Sequence, residues 1–251
     1  MIRRDPTDWQ LESPLGRVSP LAKLAVAFGW LIGLATTTSI GPPLALAAVA
    51  AAAGLLLGRI PAGVLLRGAA PLLAAAVSIG FFNAIFAAAN VDPAATEVAR
   101  IGPLRLTAEG LLGAAGLAAR IIAIATVGVV FAATTDSTRL VDALVQQLRA
   151  PERFAYGALA AYQAVPRLGE DLATLRQARR IRGLRGSWHP RLLVGLLVLA
   201  VRHADRLALA MDARGFGSGP RSRYRIVRWV PGDGVLVIVA AAILVGVLVA
   251  G

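Results

Sequence analysis

Cysteine is absent from this chain of 251 residues, which excludes disulfides, thiol redox chemistry and thiolate metal sites. Histidine is nearly absent. His189 and His203 have no acidic partner at ligand spacing, so no metal site can be assembled around them. Lysine is reduced to Lys23 alone, and no Gly-x-x-x-x-Gly-Lys-Ser/Thr loop occurs. The chain therefore carries no ATP phosphate cradle of its own. Acidic residues are scarce as well, 14 against 26 basic ones, which leaves a net charge of +12. Such a balance usually suggests nucleic acid, but these arginines flank apolar runs and are not interleaved with surface aromatics. No nucleic-acid partner is expected, and positively charged loops of a membrane protein account for the charge better. The one acidic pair, Glu170-Asp171, sits in a basic stretch and serves to neutralise its neighbours.

What the chain has in quantity is apolar surface. Hydrophobic residues make up 57% and the mean hydropathy is +0.69, so much of that surface is destined for lipid. Residues 1–10 are polar and lack the apolar core of a cleavable signal, so insertion is expected to rely on later segments. Five stretches approach the roughly 20 apolar residues needed to cross a bilayer: about 21–40, 44–58, 68–89, 111–133 and 235–250. Between the last two lies an Arg-rich region, 134–231, with 17 arginines against 7 acidic residues. Arg3, Arg4, Arg17 and Lys23 precede the first span, and Arg59 and Arg67 separate the second from the third. Positive-inside counting puts the amino terminus, that loop and the Arg-rich region in the cytoplasm, and Gly251 outside. The expected fold is an all-α integral membrane protein of about five transmembrane helices. A cytoplasmic helical domain is inserted before the last one, which gives segments 1–133, 134–231 and 232–251.

Three helices are expected in the inserted region. Asp136-Ser137 can cap the first, which runs through Leu148 with Leu140, Leu144 and Val145 on one face. Pro151 suits the first turn of a second, which continues to about Ile181 with Pro166 as a kink. His189-Pro190 opens a third. Its apolar run, 192–201, covers only about 15 Å as helix, too short to span, so it is expected to lie beneath the membrane helices.

Two of these helices end alike, in Ile181-Arg182-Gly183 and Ala213-Arg214-Gly215. Glycine can take the left-handed conformation that stops a helix, and an arginine in the last turn is favoured by the helix dipole. A guanidinium held there can fork onto a carboxylate or a helix-terminal carbonyl of a partner. The plainer alternative for each is an ordinary capped end with a solvated arginine. Arg120 stands apart, near the middle of the fourth span. A charge at that depth is expensive and faces the bundle or water; Asn83 and Glu109 are its candidate partners, and a packing role is the alternative.

Several motifs occur in a familiar order: Ser13-Pro14-Leu15-Gly16-Arg17 with Pro20-Leu21-Ala22-Lys23-Leu24; Ala119-Arg120; Thr134-Thr135 before the Leu140/Leu144 helix; Val165-Pro166; and Ala213-Arg214-Gly215. In these the chain resembles the transmembrane T component of energy-coupling factor (ECF) transporters, the EcfT/CbiQ family. The last motif is that family's Ala-Arg-Gly signature. The first copy departs from it, with Ile181 at the alanine position, so Arg182 is the expected counterpart and Arg179 the alternative. The resemblance implies a non-catalytic scaffold in the plasma membrane. It would join two ABC ATPase subunits, or one fused double ATPase, to a small substrate-binding S component that takes up a vitamin or a nickel or cobalt ion. ATP and Mg would be bound by the ATPases and no cofactor by this chain, and the two Arg motifs would insert into grooves of the two ATPases. Two rivals come from other classes. A lipid head-group transferase would use Asp205, Asp212 and Arg214, but only Asp233 follows them, too few for its metal site. A structural membrane anchor is the other.

Overall fold

A computed structural model describes residues 13–102, 104–184, 186, 188–219 and 225–250. Arg3, Arg4, Arg185, Arg221, Arg223 and Gly251, which enter the charge count and topology above, lie outside the described residues. The chain separates into two compact units, residues 1–140 with 228–251, and residues 141–227.

The first unit starts with a single helical turn, α1 (Pro14–Arg17), capped by Ser13, whose Oγ accepts from Gly16 N at 2.9 Å. It continues with α2 (Pro20–Thr36), α3 (Gly41–Leu56), α4 (Ala62–Phe86), a 3-10 turn (Ala88–Val91) and a hairpin of β1 (Glu97–Ile101) and β2 (Leu104–Thr107). Helices α5 (Ala108–Thr134) and α9 (Pro231–Ala250) complete it. Prolines open α2, α3 and α9, where the missing N–H costs nothing. Among the described residues three segments are long and apolar enough to cross a membrane: Ala62–Val91, Ala108–Thr134 and Pro231–Ala250. The first two expected spans form apolar helices of 17 and 16 residues, shorter than the usual ~20. The unit is an all-helical membrane bundle apart from one antiparallel hairpin, which the span reading treated as plain loop.

Close approach of backbones holds the bundle together. Its core cluster is built around Trp30, Leu34, Leu46, Ala123, Val127 and Ala240. A Cβ on Gly33 would lie 2.5 Å from Leu244, and one on Gly54 2.7 Å from Val130. Small residues at such crossings are how helices associate where lipid gives no hydrophobic drive. Trp30 Nε1 donates to the Ala240 carbonyl at 3.0 Å, so the buried indole N–H is satisfied. The contacts run Lys23 to Thr134 and Thr37 to Arg120, which makes α2 antiparallel to α5. Gly68 against Val129 and Gly80 against Ala118 make α4 antiparallel to it too.

At one end of the bundle three polar side chains tie the helices together. Asp233, 1% exposed, accepts from Ser19 N at 2.8 Å and Val230 N at 2.9 Å, thereby capping the starts of both α2 and α9. Lys23 is buried and its Nζ donates to the Thr134 carbonyl at the end of α5, 2.6 Å away. Arg139 Nη1 donates to the Gly16 carbonyl at 2.8 Å. The sequence reading counted Lys23 as a loop charge ahead of the first span; it lies inside α2.

The second unit consists of most of α6 (Ser137–Gln147), α7 (Glu152–Ile181) and α8 (Arg191–Ala213). Asp136 caps α6 through Thr138 N at 3.0 Å, and Arg149 at φ +54 ends the connection that follows. Pro151 stands one residue outside α7 as its cap, and α7 continues through Pro166 without a break. Gln146 and Gln147 pin the segment at Arg225 and Val227 onto α6 through its backbone.

Candidate functional site: two matching helix ends

Helices α7 and α8 end in the same way, bond for bond. Arg182 and Arg214 are the final half-helical residues, at φ −77° and −89°. Gly183 and Gly215 follow, each at φ +70°, a conformation that glycine takes without steric cost. Gly183 N donates to the Arg180 carbonyl at 2.9 Å and Leu184 N to Arg179 at 3.3 Å. Gly215 N donates to Asp212 at 2.8 Å and Phe216 N to Met211 at 2.9 Å. These paired bonds form the Schellman arrangement, which satisfies the open carbonyls of a last turn. Both arginines are exposed. By position Arg182 is the equivalent of Arg214, whereas Arg179 corresponds to Met211.

The two ends differ in support. Phe216 packs edge-on against Tyr156, with ring centroids 6.5 Å apart. Tyr156 in turn donates to Asp142 Oδ1 at 2.8 Å, and Arg153 Nη2 donates to the Gly217 carbonyl at 3.1 Å. The second end is therefore seated on the start of α7, which Tyr156 in turn ties to α6. At the first end Ile181 is 87% exposed, and a Cβ on Gly183 would meet nothing within 4 Å. Nothing in the sequence reading anticipated the Arg153 and Tyr156 seat. Its signal was an aromatic and an arginine one turn into a helix, too common to single out.

The structure does not bring the two motifs together. Gly195, early in α8, lies against Leu175, late in α7, while Phe216 lies against Tyr156, so the helices run antiparallel. From Tyr156 to Arg182 the axis of α7 covers about 39 Å, and the two arginines stand on the order of 40 Å apart. Among the described residues no group of His, Cys, Asp or Glu is placed to hold a metal ion. His189 acts locally, its Nδ1 accepting from Arg191 N at 3.1 Å at the start of α8.

Arg120 belongs to the membrane unit, and neither of its expected partners meets it in a described bond. Its Nη2 donates to the Thr37 carbonyl at the end of α2, while Glu109 accepts from Thr96 N at 3.1 Å in the hairpin connection. The reason is geometric. α2 ends halfway along α5, so a helix-terminal carbonyl, the natural acceptor for a cation, faces the middle of α5. The hairpin connection is organised by Arg105, which pairs with Glu97 at 2.9 Å and donates to the carbonyls of Asp92 and Ala95.

The long apolar helices mark an integral membrane protein, whose chain also carries a separate basic helical unit. The chain belongs to the EcfT/CbiQ family, the transmembrane T components of ECF transporters: the family model described as cobalt transport protein, CbiQ, matches residues 12–225. A relative from Heliobacterium modesticaldum, named energy-coupling factor transporter transmembrane protein EcfT, is 31% identical over 86% of this chain and 85% of its own length. An EcfT of Listeria innocua is 30% identical over 61% of this chain and 64% of its own length. A Bifidobacterium longum protein named as a putative ABC transporter ATP-binding protein is 28% identical over 83% of this chain but only 27% of its own length.

Proposed function

We propose that this chain is the non-catalytic coupling scaffold of an ECF importer, with Arg182 and Arg214 seated in grooves of two ABC ATPase subunits or of the two halves of a fused one. The observation that carries this reading is the pair of matching Schellman ends at opposite ends of an antiparallel helix pair. Two related sockets some 40 Å apart call for two identical plugs at that spacing. The Bifidobacterium relative supports ATPase partners, since a segment similar to this chain makes up about a quarter of a protein named for ATP binding. ATP and Mg would be held by those partners, and this chain would bind no cofactor of its own.

Five spans, α2, α3, α4, α5 and α9, would place the amino terminus and α6–α8 in the cytoplasm and Gly251 outside, in agreement with the positive-inside count. The exposed apolar face of α8, with Leu193, Val194, Leu197 and Val201, suits a hydrophobic membrane partner, here the S component. That partner would select the micronutrient, a vitamin or a nickel or cobalt ion. The test is co-purification in detergent of the wild-type chain beside the Arg182→Glu/Arg214→Glu double variant. ATPases recovered with the wild type alone support the coupling role. Equal recovery by both forms removes the arginines from it, and no recovery by a well-folded wild type revives the anchor reading.

A further inference from the structure

The α2–α3 hairpin stops short of its own bundle. Fourteen residues separate Lys23 from Thr37, and fourteen separate their partners Thr134 and Arg120. The hairpin therefore reaches only about 21 Å from the level of Thr134, within a hydrocarbon layer of about 30 Å. Its turn rests on α5 at Gly116, where a Cβ would lie 2.9 Å from the Thr38 carbonyl oxygen. Beyond that level α5 continues for eight residues to Ala108, about 12 Å further. α4 keeps pace with it, since Gly80 is at the same level, packed against Ala118 and Ala114.

At this one level the surface has two opposite characters. On α4, Phe81 and Phe82 are exposed, and Phe86, about 6 Å beyond Phe82 along the helix, is 73% exposed. That is a hydrocarbon-facing surface. Around the α2–α3 turn the exposed residues are Ala35, Thr36, Thr38, Ser39 and Gly41, none of them large and apolar. The hydroxyls of Thr36 and Thr37 turn back onto the carbonyls of Gly33 and Leu34, and Arg120 takes the carbonyl of Thr37. Irregular backbone at membrane depth is tolerated only when covered by protein or lining a watery cavity, and this turn is exposed.

We infer that water from the outer face fills the step above the α2–α3 turn, forming an aqueous vestibule with residues 36–39 as its floor and Arg120 at its base. The vestibule explains why a mid-span arginine is sustainable here, because its guanidinium meets a helix-end carbonyl and the half-buried side chain keeps partial access to water. Which face the water comes from rests on the five-span topology proposed above; the presence of the water does not.

The cysteine-free chain allows a direct test in whole cells. Single variants Thr38→Cys, Ser39→Cys, Phe82→Cys and Ala94→Cys, the last in the exposed loop before β1, are exposed to a membrane-impermeant maleimide before and after permeabilisation. Because the thiolate is the reacting form and does not develop in hydrocarbon, Thr38→Cys should label at least ~10-fold faster than Phe82→Cys and at a rate close to Ala94→Cys. If Thr38→Cys and Ser39→Cys both label as slowly as Phe82→Cys, the vestibule is refuted. Labelling of Ala94→Cys only after permeabilisation would overturn the topology instead. The ratio of Thr38→Cys to Phe82→Cys in the permeabilised cells would still decide the vestibule.

Discussion

Replacing Gly183 or Gly215 with alanine asks whether the helix ends act as shaped plugs or as loose charges. Both glycines sit at φ +70°, where an L-residue with a Cβ costs roughly 1–2 kcal/mol. At Gly183 that backbone cost stands alone, because a Cβ there meets nothing within 4 Å. The chain can relieve the strain by unwinding the last turn, which gives up the Gly183–Arg180 and Leu184–Arg179 bonds at about 1 kcal/mol each. Either way, an arginine held by an intact cap becomes harder to present by roughly 1–2 kcal/mol, which is a ~5- to 30-fold weaker association with the ATPases per site. Asparagine tolerates the left-handed region, so Gly183→Asn should recover most of the loss. Gly169→Ala, within α7 and facing open space, should bind normally and stabilise the helix by up to ~1 kcal/mol. The assay is the affinity of purified ATPases for the full chain in lipid nanodiscs, with circular dichroism confirming equal helix content. Wild-type affinity in both Gly→Ala variants, alongside lost affinity in Arg182→Glu and Arg214→Glu, would refute the reasoning, since charge alone would then suffice.

Further outcomes follow from the membrane unit. Asp233→Ala leaves the Ser19 and Val230 amides without their acceptor and should cost about 1–3 kcal/mol for each buried group, seen as a lower melting temperature in detergent. Lys23→Met removes the bond to Thr134 but keeps the volume, and should cost less than Asp233→Ala; a double-mutant cycle measures how strongly the two residues are coupled. Gly116→Val forces side-chain atoms onto the Thr38 carbonyl and should sharply lower the yield of folded protein, whereas Gly128→Ala, which meets nothing within 4 Å, should be neutral or mildly stabilising.

Much of this architecture was legible in the chain because apolar length and capping chemistry are local signals. The ends of α6, α7 and α8 were marked by Asp136, Pro151 and the two Arg-Gly pairs, and each lies within a residue or two of its mark. The β1–β2 hairpin is faint in sequence because Glu97-Val98-Ala99-Arg100-Ile101 does not alternate polar with apolar, in keeping with the irregular register between Glu97 and Ala99. Contacts between helices were the illegible part. Lys23 counted as a loop charge because nothing nearby in sequence shows that the end of α5, 111 residues later, supplies its acceptor. Asp233 was weighed only as a missing metal ligand, yet it caps a helix that begins 214 residues earlier. Arg120 was matched to polar side chains, while its acceptor is a backbone carbonyl, which leaves no trace in residue identity.

The antiparallel arrangement of α7 and α8 has a mechanical consequence. Each helix carries its arginine at its own carboxyl end, so an approach of the two sockets would push the helices along their axes in opposite senses. A helix does not shorten appreciably under such a load, its rise being fixed near 1.5 Å per residue. The displacement would instead become shear between the two rods. Little resists it in this pair, where Leu159 is the one buried residue of α7 and Leu192 the one buried residue of α8. Gly195 against Leu175 provides a smooth bearing rather than an interlocking tooth. Under the proposed coupling role, a closing stroke of the partners would thus be taken up as sliding between α7 and α8.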